Sequence, residues 1–386
     1  LYHFWQYRAY FSVRYCLNFL NRNRQIFVYS NKRGQKKKPM IDLRSDTLTM
    51  PDLPMLETIL QAKLGDDGRT DAKGRGEDAT INHLEDMAAA LVGKEAAILM
   101  PTGTFGNSTA IMTYCKAGDT VLVDEEQHIL LTEKFVFDPG FGRLTPVCYH
   151  QDSRHMPDPA EIDRLLTETG AKLICLENSH NFSGGYCIDL ATMAEIRKVA
   201  DKHGAAIHLD GARLFHAAAG LGVTAAEICQ YVDSVMFCVS KGLGAPVGSL
   251  LCGSWDFCGK ARGTRKLLGG VMRQGGVVAA PAIYALEHNV ERLQEDIDNA
   301  RLAHSMLQGK LKKVGLQEEV QTNILMLNLT NAGILAGEFC ARAKEKGLFI
   351  RPVRNEYRAR LVFYKGITRQ DAVDAANIIL ALDSEL

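Results

Sequence analysis

Lys241 stands in Val239-Ser240-Lys241-Gly242-Leu243-Gly244, directly after an apolar run. Burial lowers a lysine's pKa and makes its amine nucleophilic, which Schiff-base chemistry requires. The alternative is a solvated lysine in a flexible loop. Upstream, Asp210 closes the apolar run of His208-Leu209-Asp210-Gly211-Ala212-Arg213. A carboxylate there needs a cation or strong donors, or its pKa rises. It either pairs with Arg213 in the core or salt-bridges a protonated ring nitrogen. Further upstream, Pro101-Thr102-Gly103-Thr104-Phe105-Gly106-Asn107 reads as a glycine turn opening a helix. Such a turn offers N–H groups and hydroxyls to an anion, although it also serves as a plain helix cap. Pyridoxal 5′-phosphate has one phosphate, one pyridine nitrogen and one aldehyde, and asks for these three partners together. Two further polar sets follow apolar runs. Glu177-Asn178-Ser179-His180-Asn181 could hold a ring substituent or cap a turn, and His128 follows Asp119–Asp124. A lone histidine is more often structural than catalytic, but the end of a strand favours function. Nothing in the pattern calls for a metal.

These residues need a scaffold that gathers strand ends. Ala96–Met100, Asp119–Asp124, Leu173–Leu176, Ala206–Leu209, Val235–Val239 and Ser249–Cys252 are short apolar runs. Between them lie helical stretches such as Pro159–Thr169 and Ala191–His203, the latter stopped by Gly204. The alternation predicts an α/β fold with a mainly parallel sheet, whose sites lie at the carboxyl ends of strands. Pro281–Val314 reads as one or two long amphipathic helices. A β-α-β-β-α order then covers Asn323–Leu329, Ala336–Lys346, Leu348–Val353, Arg360–Tyr364 and a final helix from Arg369. A large domain over 40–289 and a small α+β domain over 290–386 are expected.

The 386 residues suit two domains, and 46% apolar with 23% charged residues excludes wholesale disorder. No stretch of about 20 uncharged apolar residues is present, so no membrane partner is expected. The ten cysteines form no C-x-x-C pair, and those in apolar runs read as reduced core thiols. Residues 1–39 hold nine basic residues and no acid, leaving 36 of the 45 basic residues against all 45 acidic ones. This leader is expected to be disordered or an artefact of the assigned start. A mitochondrial transit peptide is the alternative, with cytoplasmic residence otherwise. The acidic remainder offers no basic surface for nucleic acid.

Residues 40–386 resemble the L-threonine aldolases of the low-specificity type, within the fold-type-I pyridoxal-phosphate enzymes. The segments that carry the likeness are IDLRSDT (41–47), GKEAAILMPTGT (93–104), HLDGARLF (208–215), SKGLGAPVGSLL (240–251), GGVMRQ (269–274) and YALEHNVERLQED (284–296). The resemblance implies a mainly parallel seven-stranded sheet with a small C-terminal domain. It implies retro-aldol cleavage of β-hydroxy-α-amino acids to glycine and an aldehyde. In that family Lys241 would hold the cofactor aldehyde, Asp210 its ring nitrogen, and Gly103, Thr104 and Ser240 its phosphate. His128 would stack on the ring near the substrate's β-hydroxyl. Ser45, Arg213 and Arg360 would bind the substrate carboxylate. Lys266 and Arg273 would reach a neighbouring subunit's site in a homodimer or homotetramer. The chain departs from the family at Gly65–Asp78, which is longer, more basic and lacks a tyrosine. Ala171-Lys172 stand where some relatives carry a second histidine. Thr132-Glu133-Lys134-Phe135 replaces an E-x-G-G-like run. A β-eliminating lyase on the same fold is the alternative reading, and a non-catalytic homologue is a third.

Overall fold

In a computed structural model, residues 40–72 and 74–386 are described, and the basic leader expected over 1–39 lies outside the described residues. The described chain enters through a two-residue strand, β1 (Ile41–Asp42). Seven longer strands follow: β2 (Ala96–Met100), β3 (Thr120–Asp124), β4 (Thr145–Tyr149), β5 (Leu173–Glu177), β6 (Ala206–Asp210), β7 (Ser234–Cys238) and β8 (Ser249–Gly253). They form one sheet in the order β2-β8-β7-β6-β5-β3-β4. β8 runs antiparallel to both neighbours, and the pairs from β7 to β4 are parallel. This is the mainly parallel sheet expected from the alternating runs. Its central strands are buried on both faces, which is why they read as continuous apolar runs rather than alternating ones. Burying Leu173, Ile174 and Leu176 of β5 stabilises the sheet by about 1.5–3 kcal/mol each.

β4 has no counterpart among the strands expected from sequence. It lies at the sheet edge and carries Pro146 and a half-exposed face, so it lacks the apolar signature of the inner strands. The helices Pro159–Thr169 and Leu190–His203 match the expected spans, and Gly204 stops the second in the left-handed region at φ 64°. The stretch read over 281–314 as one or two amphipathic helices is two, Gly276–His288 and Leu293–Leu307, the first beginning ahead of Pro281, which lies inside it. The break at Asn289 has a structural partner: its side-chain amide donates to the Leu243 carbonyl at 2.7 Å, tying the helix end to the lysine loop.

Beyond the helix Leu293–Leu307 come β9 (Gly315–Leu316), β10 (Ile324–Asn328), β11 (Leu348–Phe349), β12 (Arg351–Pro352) and β13 (Arg358–Val362). A four-stranded antiparallel sheet has the order β12-β13-β10-β9. Its core joins Leu325, Phe339, Leu361 and Ile379 to Ile41 and Leu43 from the start of the described chain. β1 pairs in parallel with β11, and Leu43 also accepts from the Val362 amide at 2.8 Å. The amino-terminal arm is thereby stitched beside β13, with Ser45 and Asp46 just beyond it. No helix among the described residues is long and apolar enough to cross a membrane.

Candidate active site

The ends of β3, β5 and β6 and the turn after β7 deliver His128, Glu177, Asp210 and Lys241 to one cavity of about 190 Å³. Ser45, Ser179, Asn181, Phe182, Arg213 and Arg360 also line it. Four elements far apart in sequence thus meet at the carboxyl edge of the sheet, where parallel α/β sheets place their sites.

Asp210 is almost fully buried. Its Oδ1 accepts from the Ala212 amide at 3.0 Å and its Oδ2 from Asn107 Nδ2 at 3.0 Å. Among the described residues no lysine or arginine forms an ion pair with it, so the Asp210–Arg213 core pair weighed from sequence is not what forms. Arg213 instead forks onto Asp46, with Nε 2.7 Å from Oδ2 and Nη2 2.8 Å from Oδ1. Burial alone would raise the Asp46 carboxyl, but the Arg213 guanidinium holds it well below the usual carboxylate range. His208, deep beneath the site, is pushed down to about 4 by burial and stays neutral. It donates or accepts only between Ser234 and Asn107.

Arg360 is the second guanidinium of the cavity. Burial and the adjacent Arg213 charge lower it to about 9. Its Nη1 donates to Asn181 Oδ1, which also accepts from Arg213 Nη1 at 3.0 Å, while its Nε has no partner. Arg213 is neutralised by Asp46, whereas Arg360 donates only to the neutral Asn181 that it shares with Arg213, an arrangement that favours a further anion at Arg360. Glu177 fixes the loops around them: Oε2 accepts from the His128 amide at 2.7 Å and Oε1 from the Asn181 amide at 2.8 Å.

Gly103 and Thr104 open the helix Gly103–Tyr114, capped by Thr102. A side chain at Gly103 would meet Cys238 Sγ at 2.8 Å, so glycine lets the helix start approach the end of β7 and the Ser240 turn. Gly103, Thr104 and Ser240 do not line the cavity itself. Thr104 is linked to it through Glu133, whose Oε1 accepts from the Thr104 hydroxyl at 3.3 Å. Lys266 and Arg273 also lie away from the cavity. Lys266 is exposed, and Arg273 pairs with Asp66 at 2.9 Å. The atypical 65–78 loop is docked on its own chain by that pair, by Asp67 against Arg265 at 2.6 Å and by Asp78 under the Gly276 amide.

The residues fit pyridoxal phosphate. A buried acid without a cation suits a protonated ring nitrogen. The Lys241 side-chain amine has no hydrogen-bond or ion-pair partner among the described residues. Ser179 Oγ is buried without one as well. Sequence reasoning missed Asp46, Asn107 and Glu133 as members of this network. Asn107 and Glu133 stand in segments quoted for other reasons, and Asp46 gives no local signal because its partner, Arg213, lies far along the chain.

The family model of the beta-eliminating lyases matches residues 42–332. The chain is 36% identical over 340 residues to the low-specificity L-threonine aldolase 1 of Arabidopsis thaliana, covering 86% of this chain and 93% of that one. It is 37% identical to the low specificity L-threonine aldolase of Escherichia coli K12, covering 87% and 97% respectively. The solved Leishmania major threonine aldolase superposes with a TM-score of 0.74 at 17% identity, over 89% of this chain and 99% of that one, which shows a shared fold.

Proposed function

The chain belongs to the beta-eliminating lyase family, and from that premise we propose that it is a pyridoxal-phosphate-dependent carbon–carbon lyase. It cleaves L-threonine, L-allo-threonine or a related β-hydroxy-α-amino acid to glycine and an aldehyde. One observation carries the reading: the cation-free Asp210 and the unpartnered Lys241 line the same cavity as the under-neutralised Arg360.

The cofactor supplies an electron sink for the Cα–Cβ bond as it breaks. The chain's residues do the rest. Lys241 would hold the cofactor at its aldehyde. Asp210 would hold the cofactor's ring nitrogen, and Gly103, Thr104 and Ser240 would hold its phosphate at the helix start. Arg360, with Ser45 and Arg213 beside it, grips the substrate carboxylate and fixes the amino acid's orientation. His128 takes the β-hydroxyl proton.

The proposal extends to assembly. Leu53, Leu56, Leu60 and Leu64 are exposed along the arm, and Val277 is exposed on the helix Gly276–His288. Exposed apolar residues of this kind mark association surfaces. They support a homo-oligomer in which Lys266 and Arg273 approach a neighbouring site.

The test is incubation of the purified protein and cofactor with both L-threonine diastereomers and L-phenylserine. Equal amounts of glycine and aldehyde are expected, and Lys241→Ala abolishes both. Ammonia and a keto acid in their place would move the chain to the eliminating reaction.

A further inference from the structure

We propose that Glu133 is a positioning residue for His128. It holds the imidazole as the tautomer with hydrogen on Nδ1, so that Nε2, which lies 3.0 Å from the Thr132 hydroxyl whose own proton goes to the His128 carbonyl, is the acceptor for the substrate's β-hydroxyl proton. This rests on the functional reading above.

The geometry begins with the backbone. After His128 the chain makes a single π-helical turn, Ile129–Glu133, ended by Lys134 in the left-handed region at φ 36°. Such isolated turns occur frequently at functional sites. Here the turn returns Glu133 to the ring that starts it, with Oε1 3.0 Å from His128 Nδ1. The carboxylate is nearly buried and cannot swing into water.

The same oxygen is held by Asn107, whose Nδ2 donates to Glu133 Oε1 at 3.2 Å and to Asp210 Oδ2 at 3.0 Å. The Asn107 Oδ1 faces His208 Nε2 at 3.1 Å. Rotating that amide would press its oxygen against two carboxylates, so its nitrogen faces Glu133. Glu133 Oε1 therefore accepts from Asn107, and a carboxylate oxygen so placed accepts from Nδ1–H of His128 as well. A base oriented by a carboxylate behind it is the general form of an activated acid–base pair.

The shift on His128 agrees in sense with a carboxylate partner, while burial works against charge on Glu133. His128, Glu133 and Asp210 present atoms within 4.8 Å of one another. Burial opposes charge on His128, but the Glu133 hydrogen bond and the Asp210 and Glu177 charges outweigh it and raise its pKa. Glu133 is in turn raised by burial and by Asp210, against the pull of His128 and Asn107.

The experiment compares the wild-type holoenzyme with Glu133→Gln and Glu133→Ala. Glu133→Ala is expected to lower kcat about 10²-fold, the scale of a lost acid–base contribution, with KM little changed. Glu133→Gln keeps an acceptor for Nδ1–H and falls between. It also moves the acid limb of kcat/KM to lower pH, because His128 loses its stabilising charge. Exchange of glycine's α-hydrogen with solvent uses no β-hydroxyl and is expected to be unchanged. Wild-type kcat in Glu133→Ala, or an equal loss of exchange and cleavage, would overturn the assignment. If Glu133→Ala fails to fold, nitrogen-15 NMR of ring-labelled histidine in the wild type decides. The His128 signal, identified by its loss in His128→Ala, is expected to carry hydrogen on Nδ1, and hydrogen on Nε2 alone overturns the proposal. If the wild type cleaves no β-hydroxy amino acid, the functional reading fails, while the tautomer is still read from that spectrum.

Discussion

Arg360 and Asp210 each carry an electrostatic debt that a ligand of opposite charge would relieve. For Arg360 the debt is a buried guanidinium pressed by Arg213 and lowered to about 9. Arg360→Lys keeps a positive charge but loses the planar fork. It should raise KM for threonine by roughly 10- to 100-fold, the loss of one charged hydrogen bond, with kcat less affected. Steady-state kinetics at saturating cofactor measure this, and an unchanged KM contradicts the carboxylate assignment. Asp210→Asn removes a charge while keeping the shape and one acceptor. A fall in kcat of about 10²–10³ is expected, in line with losing one preorganised electrostatic partner. The His128 pKa, raised above its ordinary value, predicts a pH profile as well. The base works when unprotonated, so kcat/KM should fall as pH drops through a value above about 6.5. A flat profile across pH 6–8 would exclude His128 as the base.

The Asp46–Arg213 pair joins two elements, the amino-terminal arm and the turn after β6. Both partners are buried, so Asp46→Asn strands a guanidinium and should cost about 3–5 kcal/mol of stability, read by urea unfolding of the holoenzyme. A loss below 1 kcal/mol would show that the arm does not depend on the pair. The pH sense follows from the depressed carboxyl. The pair's contribution is present above the unfolded pKa of about 3.9 and is lost as pH falls toward the lower folded value. The same elements show what was legible in sequence. The inner strands and the helices Pro159–Thr169 and Leu190–His203 were readable because each carries its own apolar period or cap. The edge strand β4 was not, because Pro146 and a half-exposed face erase that period. Asp210, Lys241 and His128 were legible because polar residues at the ends of apolar runs are conspicuous. The Asp46 fork and the Glu133–Asn107–Asp210 bridge were not, because each is a contact between residues far apart in the chain.

The whole described chain contributes to the site. The large sheet supplies Asp210, Lys241 and His128, the small sheet supplies Arg360, and the arm supplies Ser45 and Asp46. The exposed leucines of that arm predict association, and light scattering after size exclusion should return a dimer or tetramer of the 42.6 kDa chain. A strictly monomeric, fully active protein would contradict the assembly. The central claim is that Lys241 and Asp210 grip one cofactor between them. Borohydride reduction of the protein loaded with pyridoxal phosphate, followed by peptide mass spectrometry, tests it most directly. The cofactor mass should remain on the peptide containing Lys241 in the wild type and vanish from the protein in Lys241→Ala. A label on another lysine, or no label on an active enzyme, would contradict the account.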